Sequence, residues 1–305
     1  MQSNLIIRLR ILAIFVVVAY HCACPYGNWC WEDYQGDAVM TSQMVDIIFL
    51  CVLCNTMLPV FFMVPGMLFY AKEEKYLCDR KATLWKKFDR LMIPYFIIFT
   101  ICYRLDLPKI GLASAEGHLW FVRDLFIFFS FSLLTSKVPK WILMCLGGGL
   151  YIFFTLSCRY TIYLHEMVEN FSKYYVFFIG GYLLNKNLVI LRGSLILKWI
   201  ISVAWLITIL IGIRSVTPLL FCVMIVCLMP DSMIRNKWVQ MVDKDSFAIY
   251  LIHHVLIFAL FLIPFFYYLY ETSALMAMPT MFFVVTLLSV CIAEGLRRIG
   301  FKYFF

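Results

Sequence analysis

Residues 8–21 read RLRILAIFVVVAYH, and this stretch decides the fold class. Two arginines lead into an uninterrupted apolar run, and a histidine closes it. A bilayer-spanning helix needs about 20 mostly apolar residues with polar flanks, which is the pattern seen here. The residues that follow, CACPYG, offer no small-x-small cleavage site. The stretch is therefore interpreted as a first transmembrane helix rather than as a cleaved signal peptide.

The rest of the chain repeats this apolar character. Of its 305 residues, 64% are apolar and only 14% are charged, whereas soluble domains carry about 25% charged residues. This composition excludes a soluble enzyme, a disordered chain and a secreted disulfide scaffold. Apolar runs bounded by charged or Gly, Pro and Asn residues lie at 10–27, 45–70, 91–104, 118–136, 140–158, 171–185, 194–213, 215–230, 246–270 and 275–296.

These runs predict an all-α integral membrane protein of about ten transmembrane helices. Several runs are short or contain proline, so kinked helices around a central cavity are expected. The length leaves little room for anything else. We therefore expect a single transmembrane domain over residues 1–305, with no internal repeat and no appended soluble domain.

Lysine and arginine are distributed unevenly over the predicted loops. Of the 26 Lys and Arg residues, 20 fall on the side of the N-terminus, counted over alternate loops, and five fall on the other side. Cytoplasmic loops carry the excess of positive charge. Both termini are therefore predicted to be cytoplasmic, which requires an even number of spans. The net charge of +8 is explained by this topology, and no nucleic-acid partner is expected.

Arg10 and His21 form the sharpest pair of polar residues in the sequence. They lie eleven positions apart, which on a helix returns to within about 20° of the same face and separates them by roughly 16 Å. Ionisable groups inside a span are costly and are candidates for function. A snorkelling arginine that sets topology and a satisfied interior histidine are the structural alternatives.

A second group of basic residues lies in KKFDRLMIPY, residues 86–95. Lys87 and Arg90 are three positions apart and share one helix face. Arginine binds phosphate in a bidentate way, and lysine binds it as a point charge. The alternative is ordinary topology-setting charge, with Asp89 diluting the patch.

Two further segments carry polar side chains within apolar runs. HLWFVRDLF, residues 118–126, contains Trp120, Arg123 and Asp124. Because Arg123 and Asp124 cannot both face lipid, they are expected to find partners inside the bundle, as a structural pair or as part of a site.

SFAIYLIHH, residues 246–254, places Tyr250, His253 and His254 in the cytoplasmic half of the ninth predicted helix. One histidine is expected to line the cavity and the other to lie at a helix interface.

The 12 cysteines predict no metal centre. Cys51 and Cys54 have the CxxC spacing of a metal or redox site, but no second pair or histidine follows at a zinc-like distance. A disulfide among Cys22, Cys24 and Cys30 stays open.

Together, these four segments resemble the acyltransferase 3 membrane proteins, which O-acylate cell-envelope glycans and related acceptors. RLRILAIFVVVAYH matches the family's signature of an arginine, ten residues and a histidine, at Arg10 and His21. KKFDRLMIPY resembles its basic-x-x-Arg and proline element, with Lys87 where arginine is common. HLWFVRDLF and SFAIYLIHH are similar to two further family segments. In FFMVPGMLFY, Pro65 stands where a serine often precedes the glycine.

The resemblance implies a multi-pass enzyme of the plasma membrane. It would move an acyl group, expected to be acetyl, from cytoplasmic acyl-CoA to a hydroxyl of an envelope glycan or lipid-linked saccharide, without a metal cofactor. His21 and Arg10 would be the catalytic residues, with His21 as the general base, since a neutral imidazole accepts a proton at neutral pH. Arg10, Lys87 and Arg90 would hold the CoA phosphates. The residues Trp120, Arg123, Tyr250 and His253 would line the cavity.

The spacing of Arg10 and His21 suits a CoA donor, because an extended pantetheine arm is about as long as the roughly 16 Å between them. Direct transfer and an acyl-enzyme intermediate both fit these residues. The rival interpretation is a transporter of lipid-linked glycans, in which Arg10 and His21 line a translocation path. Such transporters often show repeated halves, and none is visible in this sequence.

Overall fold

The computed structural model describes residues 2–23, 55–103, 117–159, 165–213, 215–230, 232, 236–301 and 303. Within these residues the protein is entirely helical, as predicted, and contains no strand. Residues 26–44, which fall mostly between the first two predicted spans, lie outside the described residues, as do Cys24, Cys30, Cys51 and Cys54. Cys22 is a buried free thiol.

Twelve α-helices and one short 3-10 helix make up the described part of the chain. They are α1 (Gln2–Ala23), α2 (Asn55–Ala71), α3 (Glu73–Cys78), α4 (Arg80–Tyr103), the 3-10 helix Gly117–Leu119, α5 (Trp120–Leu134), α6 (Lys140–Arg159), α7 (Glu166–Gly193), α8 (Leu195–Ile211), α9 (Thr217–Leu228), α10 (Lys237–Phe261), α11 (Pro264–Thr272) and α12 (Ala274–Arg298).

Five helices of the described chain are long and apolar enough to cross a membrane. They are Asn4–Ala23, Lys140–Ser157, Glu166–Gly193, Lys237–Phe261 and Leu275–Arg298. Three shorter apolar helices accompany them: Met57–Ala71, Leu195–Ile211 and Thr217–Leu228. The helical membrane class is therefore supported, while the number of ten spans stays a prediction.

The chain divides into two compact units, named here for their place in the sequence. The terminal unit comprises Met1–Leu58 and Asp231–Phe305, and the internal unit comprises Pro59–Pro230. In the terminal unit, α1 packs against α10 and α12, and α11 packs against α12. In the internal unit, α4 packs on α5, and α7 packs against α5, α6 and α9.

Two glycines allow α2 and α7 of the internal unit to approach at backbone distance. A Cβ atom on Gly66 would lie 2.0 Å from the carbonyl oxygen of Phe178, and one on Gly181 would lie 2.5 Å from the amide nitrogen of Met67. Small residues permit such close helix crossings in membranes. Gly66 of the FFMVPGMLFY segment is thus a packing residue.

The run at 246–270, predicted as one helix, is two helices in the structure. α10 ends at Phe261 and α11 begins at Pro264, with Ile263 in an extended conformation. Proline lacks an amide hydrogen and disfavours helical geometry at the residue before it, which accounts for the break. α10 also begins earlier than the apolar run, at Lys237, where the Asn236 side chain accepts a hydrogen bond from the Trp238 amide.

Candidate functional site

His21 lies in the last turn of α1 and faces two histidines of α10 within the terminal unit. The His21 ring centroid is 4.9 Å from that of His253 and 5.4 Å from that of His254. His253 is fully buried, whereas His21 is half-buried and keeps part of its surface accessible. The structure therefore brings together two of the predicted site residues, 232 positions apart in the chain.

The hydrogen bonds of this pair define which ring nitrogens carry hydrogen. Nδ1 of His253 lies 3.1 Å from the Ile249 carbonyl oxygen, and Nδ1 of His21 lies 2.9 Å from that of Val17. A carbonyl oxygen only accepts, so both Nδ1 atoms carry hydrogen. Nε2 of neutral His253 therefore accepts from Nδ1 of His21, at 3.1 Å. The lone pair of neutral His21 is left on Nε2, the geometry of a general base.

Two further residues of SFAIYLIHH, Tyr250 and His254, lie beside this pair. The Tyr250 ring lies 5.7 Å from that of His253, and the His254 ring meets the His21 ring edge to face. The predicted run at 246–270 placed these residues in the first half of their helix, and the described helix has different bounds; their place in the cytoplasmic half stays a prediction. Because α10 begins at Lys237 and ends at Phe261, His253 lies in its second half, against the last turn of α1.

A hydrogen bond from a tyrosine of α11 fixes the last turn of α1. The Tyr270 hydroxyl is buried and donates to the Cys22 carbonyl oxygen at 2.7 Å. The last four carbonyls of a helix have no partner within the helix, so this hydroxyl completes a hydrogen bond that α1 cannot make itself. The bond anchors the backbone beside His21.

Arg10, on α1, forms an ion pair with Asp243 of α10. Nη2 of Arg10 lies 2.6 Å from Oδ1 and 2.9 Å from Oδ2 of Asp243. The Arg10 side chain is 37% exposed and that of Asp243 is 14% exposed. Asp243 is not among the predicted site residues, because its one signal in the sequence is a carboxylate near the edge of an apolar run. Its charge offsets that of Arg10.

Lys87 and Arg90 lie in the first half of α4, in the internal unit. The structure places two residues near Lys87 that the sequence did not indicate: Tyr76 of α3, and Lys72, which immediately precedes α3. The Lys87 ammonium lies 4.0 Å from the centre of the Phe129 ring and 5.0 Å from that of Tyr76. Burial, with the nearby charges of Arg90 and Lys72, lowers the pKa of Lys87 to about 8. Arg90 is exposed. Two cations, Lys72 and Arg90, therefore lie near the half-buried Lys87.

Arg123 is fully buried at the start of α5. Its Nε donates to Asp124 at 2.8 Å, and its Nη2 donates to Glu166 of α7 at 3.0 Å. The expectation of interior partners is confirmed, although Arg123 pairs with its own neighbour, Asp124. Trp120, one turn earlier, stacks on Tyr174 with ring centres 5.5 Å apart.

The predicted site residues thus form separate groups in the two units. Arg10, His21, Tyr250 and His253 belong to the terminal unit, and Lys87, Arg90, Trp120 and Arg123 belong to the internal unit. No group of three or more His, Cys, Asp or Glu side chains in the described residues is arranged to hold a metal ion.

The sequence was compared with protein families, with curated proteins and with solved structures. No curated protein and no solved structure matches the chain. The family model of acyltransferase 3, described as an acyltransferase domain, matches residues 5–294. This match includes Arg10, His21 and His253 of the terminal unit and the whole internal unit. The chain therefore belongs to the acyltransferase 3 family.

Proposed function

We propose that this protein transfers an acetyl group from cytoplasmic acetyl-CoA to a hydroxyl of a cell-envelope glycan or lipid-linked saccharide. The observation that carries the proposal is the His21–His253 pair, which leaves a lone pair on Nε2 of His21 in a chain of the acyltransferase 3 family. The enzyme would be a multi-pass protein of the plasma membrane. Its ten spans, with both termini in the cytoplasm, would surround the cavity in which the reaction occurs.

In the proposed reaction, Nε2 of His21 takes the proton of the acceptor hydroxyl as its oxygen attacks the thioester carbonyl carbon. A new C–O bond forms and the C–S bond breaks. The CoA sulfur leaves with the electron pair and takes the proton from His21, which restores the neutral base. His253 holds the His21 ring through the bond to Nδ1 and contributes orientation.

We propose that Arg10, Lys87 and Arg90 bind the phosphates of the donor. The positive charge near Lys87 supports this assignment, because Lys72 and Arg90 both lie close to it. Several cations close together would bind a phosphate more strongly than one. Arg10 contributes less net charge, because Asp243 shares it.

Replacing Arg90 with alanine tests the donor site. If Arg90 binds a phosphate, Arg90→Ala should raise the KM for acetyl-CoA more than it lowers kcat. The loss of one charge-assisted contact is worth about 1.5–3 kcal/mol, or roughly 10- to 150-fold. Arg90→Lys should rescue only part of this loss if the contact is bidentate. Arg80→Ala, at the exposed start of the same helix, is the matched control and should keep the wild-type KM.

A second donor separates phosphate binding from other roles of Arg90. Acetyl-pantetheine lacks the nucleotide, so it should be a poor substrate for the wild type and should lose little more in Arg90→Ala. Equal damage with both donors would remove Arg90 from the phosphate site. Mass spectrometry of envelope glycans from cells with and without the gene identifies the acceptor. Unchanged acetylation, together with purified protein that transfers no acetyl group, would favour the transporter interpretation.

A further inference from the structure

Two buried hydrogen-bond donors of the internal unit are found at the group formed by Arg123, Asp124 and Glu166, one on Arg123 itself and one on the nearby Tyr95. Nη1 of Arg123 has no hydrogen-bond partner among the described residues, although its other two guanidinium nitrogens are bonded. The hydroxyl of Tyr95, on α4, likewise has none there. Both side chains are fully buried, and the Tyr95 hydroxyl interacts electrostatically with all three members of the group.

A buried polar group without a partner costs free energy comparable to a lost hydrogen bond. Two such donors at one place therefore indicate that something else binds them. The group is also reached from outside, because the Glu166 side chain is 46% exposed while Arg123 behind it is fully buried.

The charges of the group restrict the ligand. One guanidinium faces two carboxylates, so an anionic ligand would be repelled by Asp124 and Glu166. A cationic ligand such as an ammonium has no acceptor atom for Nη1 of Arg123. A neutral hydroxyl can donate to a carboxylate and accept from the arginine or the tyrosine. Several hydroxyls on one rigid molecule would suit the group best.

An aromatic surface lies one turn from Arg123. Trp120 is half-buried and stacks on Tyr174, and the Lys173 ammonium lies 5.0 Å from the centre of the Tyr174 ring. The C–H face of a sugar ring is apolar and packs on an aromatic side chain as other apolar surfaces do. Hydroxyl-binding groups beside aromatic rings are the combination that a saccharide requires.

We propose that Tyr95, Arg123 and Glu166 bind the hydroxyls of a saccharide, with Trp120 packing against its ring. Nη1 of Arg123 and the Tyr95 hydroxyl donate to sugar oxygens, and the Glu166 carboxylate accepts from a sugar hydroxyl. The inference rests on the proposed function and makes this group the acceptor-binding site.

Tyr95→Phe is the decisive variant, because it removes one hydroxyl that bonds no described residue and leaves the ring in place. Envelope glycan extracted from cells lacking the gene serves as the acceptor, with acetyl-CoA as the donor. The KM for the glycan should rise about three- to tenfold, the effect of one lost hydrogen bond, and should rise more than the KM for acetyl-CoA. Tyr175→Phe is the matched control. Tyr175 is an equally buried tyrosine of the same unit, and its hydroxyl likewise bonds no described residue, but it lies near Tyr70 and Ser132 rather than near Arg123. Its variant should therefore keep the wild-type KM for glycan.

Periodate treatment of the glycan tests the chemical class, because periodate cleaves the carbon–carbon bond between neighbouring hydroxyl-bearing carbons of a sugar and converts both hydroxyls to carbonyls. Oxidised glycan should be a poor acceptor for the wild type, and Tyr95→Phe should then lose little more. The inference is overturned if Tyr95→Phe behaves like Tyr175→Phe, or if oxidised and intact glycan are equally good acceptors. Wild-type protein that transfers no acetyl group to any fraction would instead overturn the proposed function itself.

Discussion

A histidine acts as a base only through a nitrogen that carries no hydrogen, and in His21 the neighbours decide which nitrogen that is. The Val17 carbonyl oxygen and Nε2 of His253 both accept from Nδ1–H of His21. Because Nδ1 carries the hydrogen, neutral His21 can accept a substrate proton only at Nε2. A ring free to rotate or to change tautomer would present a working base for part of the time. Two partners on one nitrogen remove that freedom.

The first prediction at this scale concerns His21→Ala. Removal of the general base should lower the rate of acyl transfer by about 10²- to 10⁴-fold, while the protein still inserts and still binds acetyl-CoA. Steady-state transfer and donor binding, measured on the same purified sample, test this. Near-normal transfer in His21→Ala, with loss in His253→Ala, would assign the role of base to His253.

The second prediction concerns pH. Lys87 has a pKa lowered to about 8, so its ammonium is charged below that pH and loses its charge above it. If the charged form binds phosphate, the KM for acetyl-CoA should be constant below about pH 7 and should rise above about pH 8, by up to tenfold per unit.

Arginine at this position stays charged throughout the range, so Lys87→Arg should flatten the rise. Lys86→Arg changes the exposed neighbouring side chain and should keep the wild-type profile. A profile that is the same in all three proteins would exclude Lys87 from donor binding.

The sequence predicted which residues share one helix, but it did not predict which residues from distant parts of the chain contact each other. The eleven-residue spacing predicted that Arg10 and His21 lie on one helix, and α1 is continuous from Gln2 to Ala23. Asp243 is 233 residues from Arg10, and a single sequence holds no signal for that pairing. The aromatic rings that bury Lys87 come from other helices, so its lowered pKa could not be predicted either.

At the scale of the helices, the contact between α2 and α7 depends on the absence of two side chains. Gly181→Ala would place a methyl group within 3 Å of the backbone of α2, at Met67, Gly66 and Met63. Backbone cannot move aside as a flexible side chain does, so the two helices must separate. We expect a loss of about 1–3 kcal/mol in unfolding free energy.

The adjacent glycine is the control for this prediction. A Cβ atom on Gly180 would meet nothing within 4 Å, so Gly180→Ala should be neutral, or stabilising by up to about 1 kcal/mol through helix propensity. Thermal unfolding in detergent compares the two variants. Equal midpoints would show that the helices do not need the close approach.

Helix positions were predicted better than helix ends. Apolar runs locate the part of a helix that lies in the membrane, and they miss polar turns that continue the same helix, as at both ends of α7, which runs from Glu166 to Gly193 rather than over 171–185. The break before Pro264 was also missed, because the residues on both sides are apolar and hydropathy does not register the lost amide hydrogen.

At the scale of the whole molecule, the prediction is that both termini and residues 71–90 lie in the cytoplasm. Cys78 of α3 is an exposed free thiol within that segment and reports its side. A membrane-impermeant maleimide should label it in inside-out vesicles and not in intact cells.

Other cysteines can also react with the maleimide, so labelling of the wild type is compared with labelling of Cys78→Ser. The labelling that disappears in Cys78→Ser is the labelling of Cys78. Loss of label in intact cells, caused by Cys78→Ser, would place the segment outside. Such a result would reverse the topology and the donor site together.

The hydrogen bond from Tyr270 to the Cys22 carbonyl joins residues 248 positions apart, so its two ends are synthesised at different times. Arg10 and His21 leave the ribosome long before their partners Asp243 and His253, which follow them by 233 and 232 positions. A nascent chain that stops before these partners and Tyr270 carries the two signature residues without the groups that orient them. In the proposed mechanism, such an abandoned translation product would lack an oriented base and would not consume acetyl-CoA.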